Sequence, residues 1–170
     1  MSEAARKPDY DTIWGAQEDL SVLTFNLNGE TFAIEAIVVQ EILDLLPETH
    51  VPGSKSFVSS VINFRGKVIP LADIRLAFGM DAMEATIDSR IVVIELDLDD
   101  EATLIGIRTD KVNEVTTLPK VASEPPPSVG MRWRADYISC LVKRDGEFII
   151  VPNLQAIFST RKDRPAPLSI

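Results

Sequence analysis

Apolar residues in this chain occur mostly in short runs that are separated by turn-forming residues. Asn28-Gly29 lies between two such runs, and Arg65-Gly66-Lys67 lies between the next two. A short turn containing glycine between two apolar runs is typical of a β-hairpin. The pattern predicts four hairpins, with strands over 20–27 and 30–34, 61–64 and 68–71, 90–96 and 102–107, and 137–142 and 148–151.

Helices are predicted to be few and short. Between Glu35 and Leu46 the apolar residues recur at a spacing that favours a helix, which Pro47 would end. Asp73 and Asn153 are residues of the type that begins a helix, so each predicts a short helix after its hairpin. For residues 109–115, a helical turn and a strand both stay open.

The second half of the chain repeats the first in outline. An offset of 80 residues aligns Asp73 with Asn153, and an offset of 73 aligns Glu41 with Glu114. Each repeat is too small to bury a large core, and an open sheet edge invites aggregation. The sequence therefore predicts a mainly β protein made of two small β-barrels packed side by side, with short helices and a groove between the barrels.

These patterns give a domain organisation. We expect a flexible N-terminal arm over 1–19, a first barrel over about 20–89, a second over about 90–159, and a tail over 160–170. The boundary between the barrels leaves strand exchange possible. Within the arm, Ile13 and Trp14 are isolated apolar residues, so docking of this pair on the protein or on a partner is the alternative to a disordered arm.

Charge and composition exclude several classes of partner. The chain has 170 residues, 45% of them hydrophobic, and a net charge of −9. That charge disfavours nucleic acid and anionic membrane surfaces, because their phosphates would be repelled. No apolar run approaches the roughly 18 residues of a membrane span, and the N-terminal residues lack the apolar core of a signal peptide. A cytoplasmic protein is expected.

The chain offers little for catalysis or metal binding. His50 precedes a proline-containing loop and is expected to be a surface residue, while Cys140 lies in an alternating strand and is expected to be a buried thiol. A single His and a single Cys do not make an ordinary zinc site. The acidic stretch 97–101 lacks the spacing of a calcium loop. We therefore expect no enzyme activity, no cofactor and no metal.

Two charged residues stand out instead. Arg65 lies at a tight turn where folding does not require a bulky cation, and Glu41 lies beside the apolar residues Val39 and Ile42. They are either ordinary solvated charges or an ion pair at the rim of an apolar groove, which would orient Arg65 towards a partner.

These residues resemble the CheW family of chemotaxis coupling proteins. The resemblance rests on Val39-Gln40-Glu41-Ile42, on Pro52, and on the run from Val61 to Arg75 that contains Asn63-Phe64-Arg65-Gly66 and Pro70. It covers about residues 20–159. It implies two SH3-like five-stranded barrels, in agreement with the repeat.

The resemblance also implies a function. Members of the family are non-catalytic adaptors that bind the cytoplasmic tips of chemoreceptors and the regulatory domain of the CheA-type histidine kinase in receptor arrays. Their receptor site is the groove between the barrels. Matching positions place Arg65, Glu41 and Val39 in or beside that groove, with Val38 and Ile42 as weaker candidates that could be core residues.

Three positions depart from the family pattern. Ser60 and Cys140 stand where glycine is usual, and Asn153 stands where aspartate is usual in the second barrel. These departures concern the identity of the partners more than the fold. An adaptor of a non-flagellar chemosensory pathway, or a small ligand-binding β-barrel, are the alternatives.

Overall fold

In a computed structural model of the protein, the described residues are 13–52, 57–58, 60–126 and 135–159. Over these ranges the chain is mainly β, as predicted, with twelve strands and two short α-helices. The strands are β1 Asp19–Leu27, β2 Glu30–Glu35, β3 Val39–Leu43, β4 Thr49–His50, β5 Ser60–Phe64, β6 Lys67–Ala72, β7 Arg90–Leu98, β8 Glu101–Thr109, β9 Lys111–Pro119, β10 Ser123–Glu124, β11 Ile138–Arg144 and β12 Glu147–Pro152. The helices are α1 Ile74–Ala77 and α2 Leu154–Phe158.

The four predicted hairpins are β1–β2, β5–β6, β7–β8 and β11–β12, and all four form antiparallel pairs. Each reverses direction through two residues that both have positive φ. Such a turn matches the right-handed twist of the flanking strands. Its first residue is Asn28, Arg65, Asp99 or Asp145.

The strands form two six-stranded sheets. Sheet 1 has the order β10-β11-β12-β2-β1-β9, and sheet 2 has the order β4-β5-β6-β8-β7-β3. Advancing every strand of sheet 2 by six places, with β1 following β12, gives the order of sheet 1. The internal repeat is therefore confirmed, although each sheet has six strands rather than the five expected per barrel.

The repeats exchange their first hairpins. Hairpin β1–β2 lies in sheet 1 with β9–β12, and hairpin β7–β8 lies in sheet 2 with β3–β6. A cut between residues 89 and 90 separates the repeats in sequence, but it divides both sheets. The extents 20–89 and 90–159 consequently stay predictions as domain boundaries.

Backbone contacts confirm the two offsets. The amide of Asp73 donates to the carbonyl of Phe57 at 2.8 Å, and 80 residues later the amide of Asn153 donates to the carbonyl of Tyr137 at 2.7 Å. The pairing of β3 with β7 shifts register between Val39 and Glu41. The pairing of β9 with β1 shifts at the equivalent place, 73 residues on.

The two sheets share a hydrophobic core. Its largest cluster takes buried residues from both sheets and both helices. Aromatic side chains contribute much of its area, with Phe25 and Phe32 stacked at 5.9 Å between ring centroids and Phe78 tilted against Phe32 at 5.5 Å. Burial of this shared apolar surface holds the sheets together.

The helix predicted between Glu35 and Leu46 is wrong. A 3₁₀ turn spans Ala36–Val38, and β3 follows it and pairs with β7. The apolar spacing fitted a helix, but the residues are mostly β-branched, and β-branched side chains favour a strand that is completed by a neighbouring strand. Residues 111–115, for which two structures stayed open, lie in β9.

The N-terminal arm is not free over its whole predicted length. Trp14 is 2% exposed, and its indole Nε1 donates to the carbonyl of Leu118 at 3.1 Å. The alternative prediction, in which Ile13 and Trp14 dock on the protein, describes this contact. Residues 1–12 of the arm, part of the proline-rich loop (127–134) and the tail 160–170 lie outside the described residues.

Candidate functional site

Arg65 occupies a backbone position that does not suit it. Its φ is 54°, in the left-handed region, where asparagine and aspartate are tolerated better than long side chains. The equivalent residues of the other three hairpin turns are Asn28, Asp99 and Asp145. The Arg65 side chain is 72% exposed. The fold thus gains nothing from arginine at this turn.

Two contacts orient the Arg65 guanidinium. Its Nη2 donates to Oε1 of Glu41, which lies on β3, and its Cζ lies 5.1 Å from the ring centroid of Phe64. The predicted Glu41–Arg65 ion pair is therefore present in the structure. Because a guanidinium has five N–H donors, this single carboxylate contact leaves donors for a partner.

Exposed apolar residues lie on the strands that carry this pair. Val68 on β6 is 69% exposed, and Ile42 on β3 is also exposed. β3 is an edge strand of sheet 2. A cation with apolar neighbours at a sheet edge suits contact with another protein. We call Glu41, Ile42, Arg65 and Val68 the Arg65 surface.

The structure divides the five predicted site residues. Glu41, Ile42 and Arg65 belong to the Arg65 surface. Val39 is half-buried and packs against the shared core, so it has a structural role. Val38 also contacts this core, but it lines a separate open pocket.

That pocket lies where the chain passes from sheet 1 to sheet 2, between β2 and β3, and we call it the crossover pocket. Its volume is about 570 Å³, and it is closed on one side by α2 and on another by β7. Ile37, at the rim, is 83% exposed. Burial raises the pKa of Glu35, which also lines the pocket, above its ordinary value.

Sequence reasoning missed a buried charged cluster, which we call the Arg75 clamp. The Arg75 side chain is 1% exposed, and its Nε and Nη2 donate to the two carboxylate oxygens of Asp73 at 2.8 and 3.0 Å. Its Nη1 donates to Oδ1 of Asp110 at 2.8 Å and to Oδ1 of Asn28 at 3.3 Å.

Charge balance in the clamp favours the ionised form. Desolvation lowers the pKa of Arg75, but the hydrogen bond and charge of Asp73 together with the charge of Asp110 raise it, and the net direction is upward. The clamp joins α1 of sheet 2 to the β1–β2 turn of sheet 1. The sequence signal was Asp73 two residues before Arg75, but its partners Asn28 and Asp110 are remote in the chain.

The described residues show no arrangement for metal chemistry. Over these ranges, no three His, Cys, Asp or Glu side chains are grouped to hold a metal ion. His50 is exposed on β4, and Cys140 is fully buried. Neither described α-helix has the length or the apolar sequence to cross a membrane.

The three departures fit locally. Ser60 and Cys140 are buried in β5 and β11, and Asn153 caps α2 by accepting a hydrogen bond from the amide of Ala156 at 3.0 Å. Asp73 caps α1 through the amide of Arg75 at 3.2 Å. Replacing the usual aspartate by Asn153 therefore preserves the cap.

Comparison with known proteins identifies a family. A family model described as the CheW-like domain matches residues 21–162. The chemotaxis protein CheW of Rhizobium meliloti is 24% identical over 145 residues, which cover 85% of this chain and 91% of that protein. The chemotaxis protein CheW of Bacillus subtilis is 27% identical over 147 residues, covering 85% and 90%.

A solved structure resembles the fold. The scaffolding protein TtCheW from Thermoanaerobacter tengcongensis superposes with a TM-score of 0.73 and 27% identity, and the match covers 84% of this chain and 94% of that protein. That neighbour has the two-unit SH3-like architecture, so the predicted fold class is confirmed.

Proposed function

Because the chain belongs to the CheW family, we propose that it is a non-catalytic adaptor that couples chemoreceptor signalling tips to a CheA-type histidine kinase. The family model spans most of the chain, and relatives over nearly their whole length are chemotaxis proteins. The solved neighbour is a scaffolding protein. We further propose that the protein works in the cytoplasm, beside membrane-anchored receptor arrays.

The observation that carries the receptor-binding part is the unfavourable turn at Arg65. An exposed arginine with positive φ lies where the three equivalent turns have asparagine or aspartate. A residue that costs stability is retained when function requires it. We assign Arg65 to direct contact with the receptor tip.

The other predicted residues support Arg65 in different ways. Glu41 orients the guanidinium, and Ile42 supplies exposed apolar area next to it. Val38 offers contact from the crossover pocket, and Val39 supports the base of β3 from the core. A receptor helix lying along β3 would meet these positions in turn.

The test is reconstitution of kinase control with the full chain, receptor-containing membranes and a CheA-type kinase. We expect Arg65→Glu to abolish receptor-dependent control of the kinase, because it reverses the charge that faces the receptor. The matched control is Asp145→Lys, a charge reversal at the equivalent turn of the other repeat. Thermal unfolding of both variants checks that the fold is intact.

Normal coupling by a folded Arg65→Glu variant would remove Arg65 from the receptor site. Failure of the unmodified chain to support any receptor-dependent control would contradict the adaptor function itself.

A further inference from the structure

The repeat places the crossover pocket opposite the Arg75 clamp. The offset of 80 that aligns the helix caps aligns Arg75 with Gln155, and the offset of 73 that aligns the register shifts aligns Asp110 with Ile37. Both sites lie where the chain passes between the sheets, next to the first turn of a capped short helix. They are two versions of one structural position.

At the clamp, this position is filled by an arginine. The guanidinium of Arg75 makes charged hydrogen bonds to Asp73 and Asp110 and is removed from solvent. Its aliphatic stem packs beside the core residues Ile74 and Phe78. The fold itself thus shows which side chain suits this position: a cation whose stem is apolar.

At the crossover pocket, the same position is open. Gln155 is exposed, and Ile37 extends into solvent where the clamp has Asp110. The described residues that line the pocket include the acids Glu35, Glu95 and Asp97 but no Arg, Lys or His. Apolar side chains, among them Val38 and Leu154, form the remaining surface. The pocket therefore has the carboxylates and the apolar walls without the cation.

We propose that the crossover pocket receives an arginine or lysine side chain of the chemoreceptor helix, with an adjacent apolar receptor residue packed on Ile37. This inference rests on the proposed function, and it names the chemistry of the receptor segment that enters the groove between the sheets. The incoming cation takes the place that Arg75 fills in the other repeat. Neutralising charge beside half-buried Glu35 would also relieve its desolvation.

The volume and the shape suit such an occupant. A pocket of about 570 Å³ lies within the range of sites that bind small groups, and it admits more than a single side chain. Arginine with an apolar neighbour is also a common anchor at protein interfaces.

The experiment titrates a chemoreceptor signalling-tip fragment into the full chain at low and at moderate salt. The test variant is Glu35→Gln with Asp97→Asn, and the control is Asp81→Asn with Asp88→Asn, which changes net charge equally in the exposed connector. We expect the test variant to bind the fragment about tenfold more weakly at low salt, with a smaller salt dependence, because it loses the charged contacts. The control variant should bind normally, and the kinase regulatory domain should bind both variants equally.

The outcomes separate this inference from the adaptor function. If the unmodified chain binds receptor and kinase and the test variant binds the receptor normally, the pocket inference is overturned and the adaptor function stands. If the unmodified chain binds neither partner, both are overturned. If Arg6→Glu with Lys7→Glu increases receptor affinity, the pocket's occupant is the chain's own N-terminal segment, which leads to Ile13 at the pocket, and the proposal is wrong.

Discussion

The two places where the chain crosses between the sheets share a topology but differ in every polar contact. One is sealed by Arg75, Asp73, Asp110 and Asn28, and the other is an open pocket with Ile37 at its rim. A fold with this repeat therefore tolerates both versions. Since the sealed version supplies the charged contacts that hold α1 to the β1–β2 turn, the open version is free to bind a partner.

The hairpin turns give a second comparison of the same kind. Asp145-Gly146 and Arg65-Gly66 occupy equivalent turns with nearly identical φ values of 53° and 54° at the first residue. Both repeats also have a glutamate–arginine pair, but in sheet 1 it joins Glu114 to Arg144, which lies before the turn, at 3.4 Å. Only in sheet 2 does the arginine occupy the strained position, and this difference marks function.

The largest expected effect comes from making the clamp like the pocket. Arg75→Gln introduces the residue of the equivalent position and leaves two carboxylates without their cation. We expect a loss of about 3 kcal/mol in the free energy of unfolding, the lower end for a broken buried pair, because both aspartates keep some exposure. Urea unfolding measures it. Gln155→Ala is the control and should change stability by less than about 0.5 kcal/mol.

A smaller effect separates the cap from the charge. Asp73→Asn keeps a side chain that caps α1 but removes the carboxylate that Arg75 binds through two nitrogens. The expected loss is about 2 kcal/mol, typical of hydrogen bonds to a charged group. The reciprocal variant Asn153→Asp should be nearly neutral, because α2 has Gln155 where α1 has Arg75. Equal losses in the two variants would show that only capping matters at both helices.

The turn comparison predicts a gain in stability. Arg65→Asn places a residue that tolerates positive φ at a turn where arginine is strained, so we expect the free energy of unfolding to rise by about 1 kcal/mol. Asp145→Arg should lower it by a similar amount. A drop in the melting temperature of Arg65→Asn would mean that the contacts with Glu41 and Phe64 outweigh the backbone strain.

The smallest effect depends on pH. Burial raises the pKa of Glu35 above 4.5, so the folded state keeps this proton to higher pH than the unfolded chain does. Its contribution to stability therefore falls as pH rises from about 4.5 through the folded pKa. Glu35→Gln should be more stable than the unmodified chain at pH 7, and the difference should vanish below pH 4.5. A pH-independent difference in thermal unfolding would assign the effect to packing.

The sequence predicted much of the fold because its signals are local. Turn residues and alternating runs located all four hairpins, and cap residues located both helices. The helix expected from Glu35 to Leu46 was wrong because the strand is completed by β7, which is distant in sequence. The exchange of hairpins between the sheets also depends on long-range packing of the shared core, which no local pattern encodes.

For the candidate site, the sequence predicted the pairing of Arg65 with Glu41 but not the surroundings of that pair. The positive φ of Arg65 follows from the turn type, so the turn signal contained it. The clamp and the pocket were not predictable, because Arg75 meets Asn28 and Asp110 only when two sheets pack together. Their equivalence becomes visible once the register shifts fix both offsets.

The central claim is that Arg65 is kept for binding at the expense of stability, and a single titration tests it. A chemoreceptor signalling-tip fragment is titrated into Arg65→Asn and into the unmodified chain, with a kinase regulatory domain titrated in parallel. The account predicts that the more stable variant binds the receptor fragment at least about tenfold more weakly and the kinase domain equally well. Undiminished receptor binding by Arg65→Asn would contradict it.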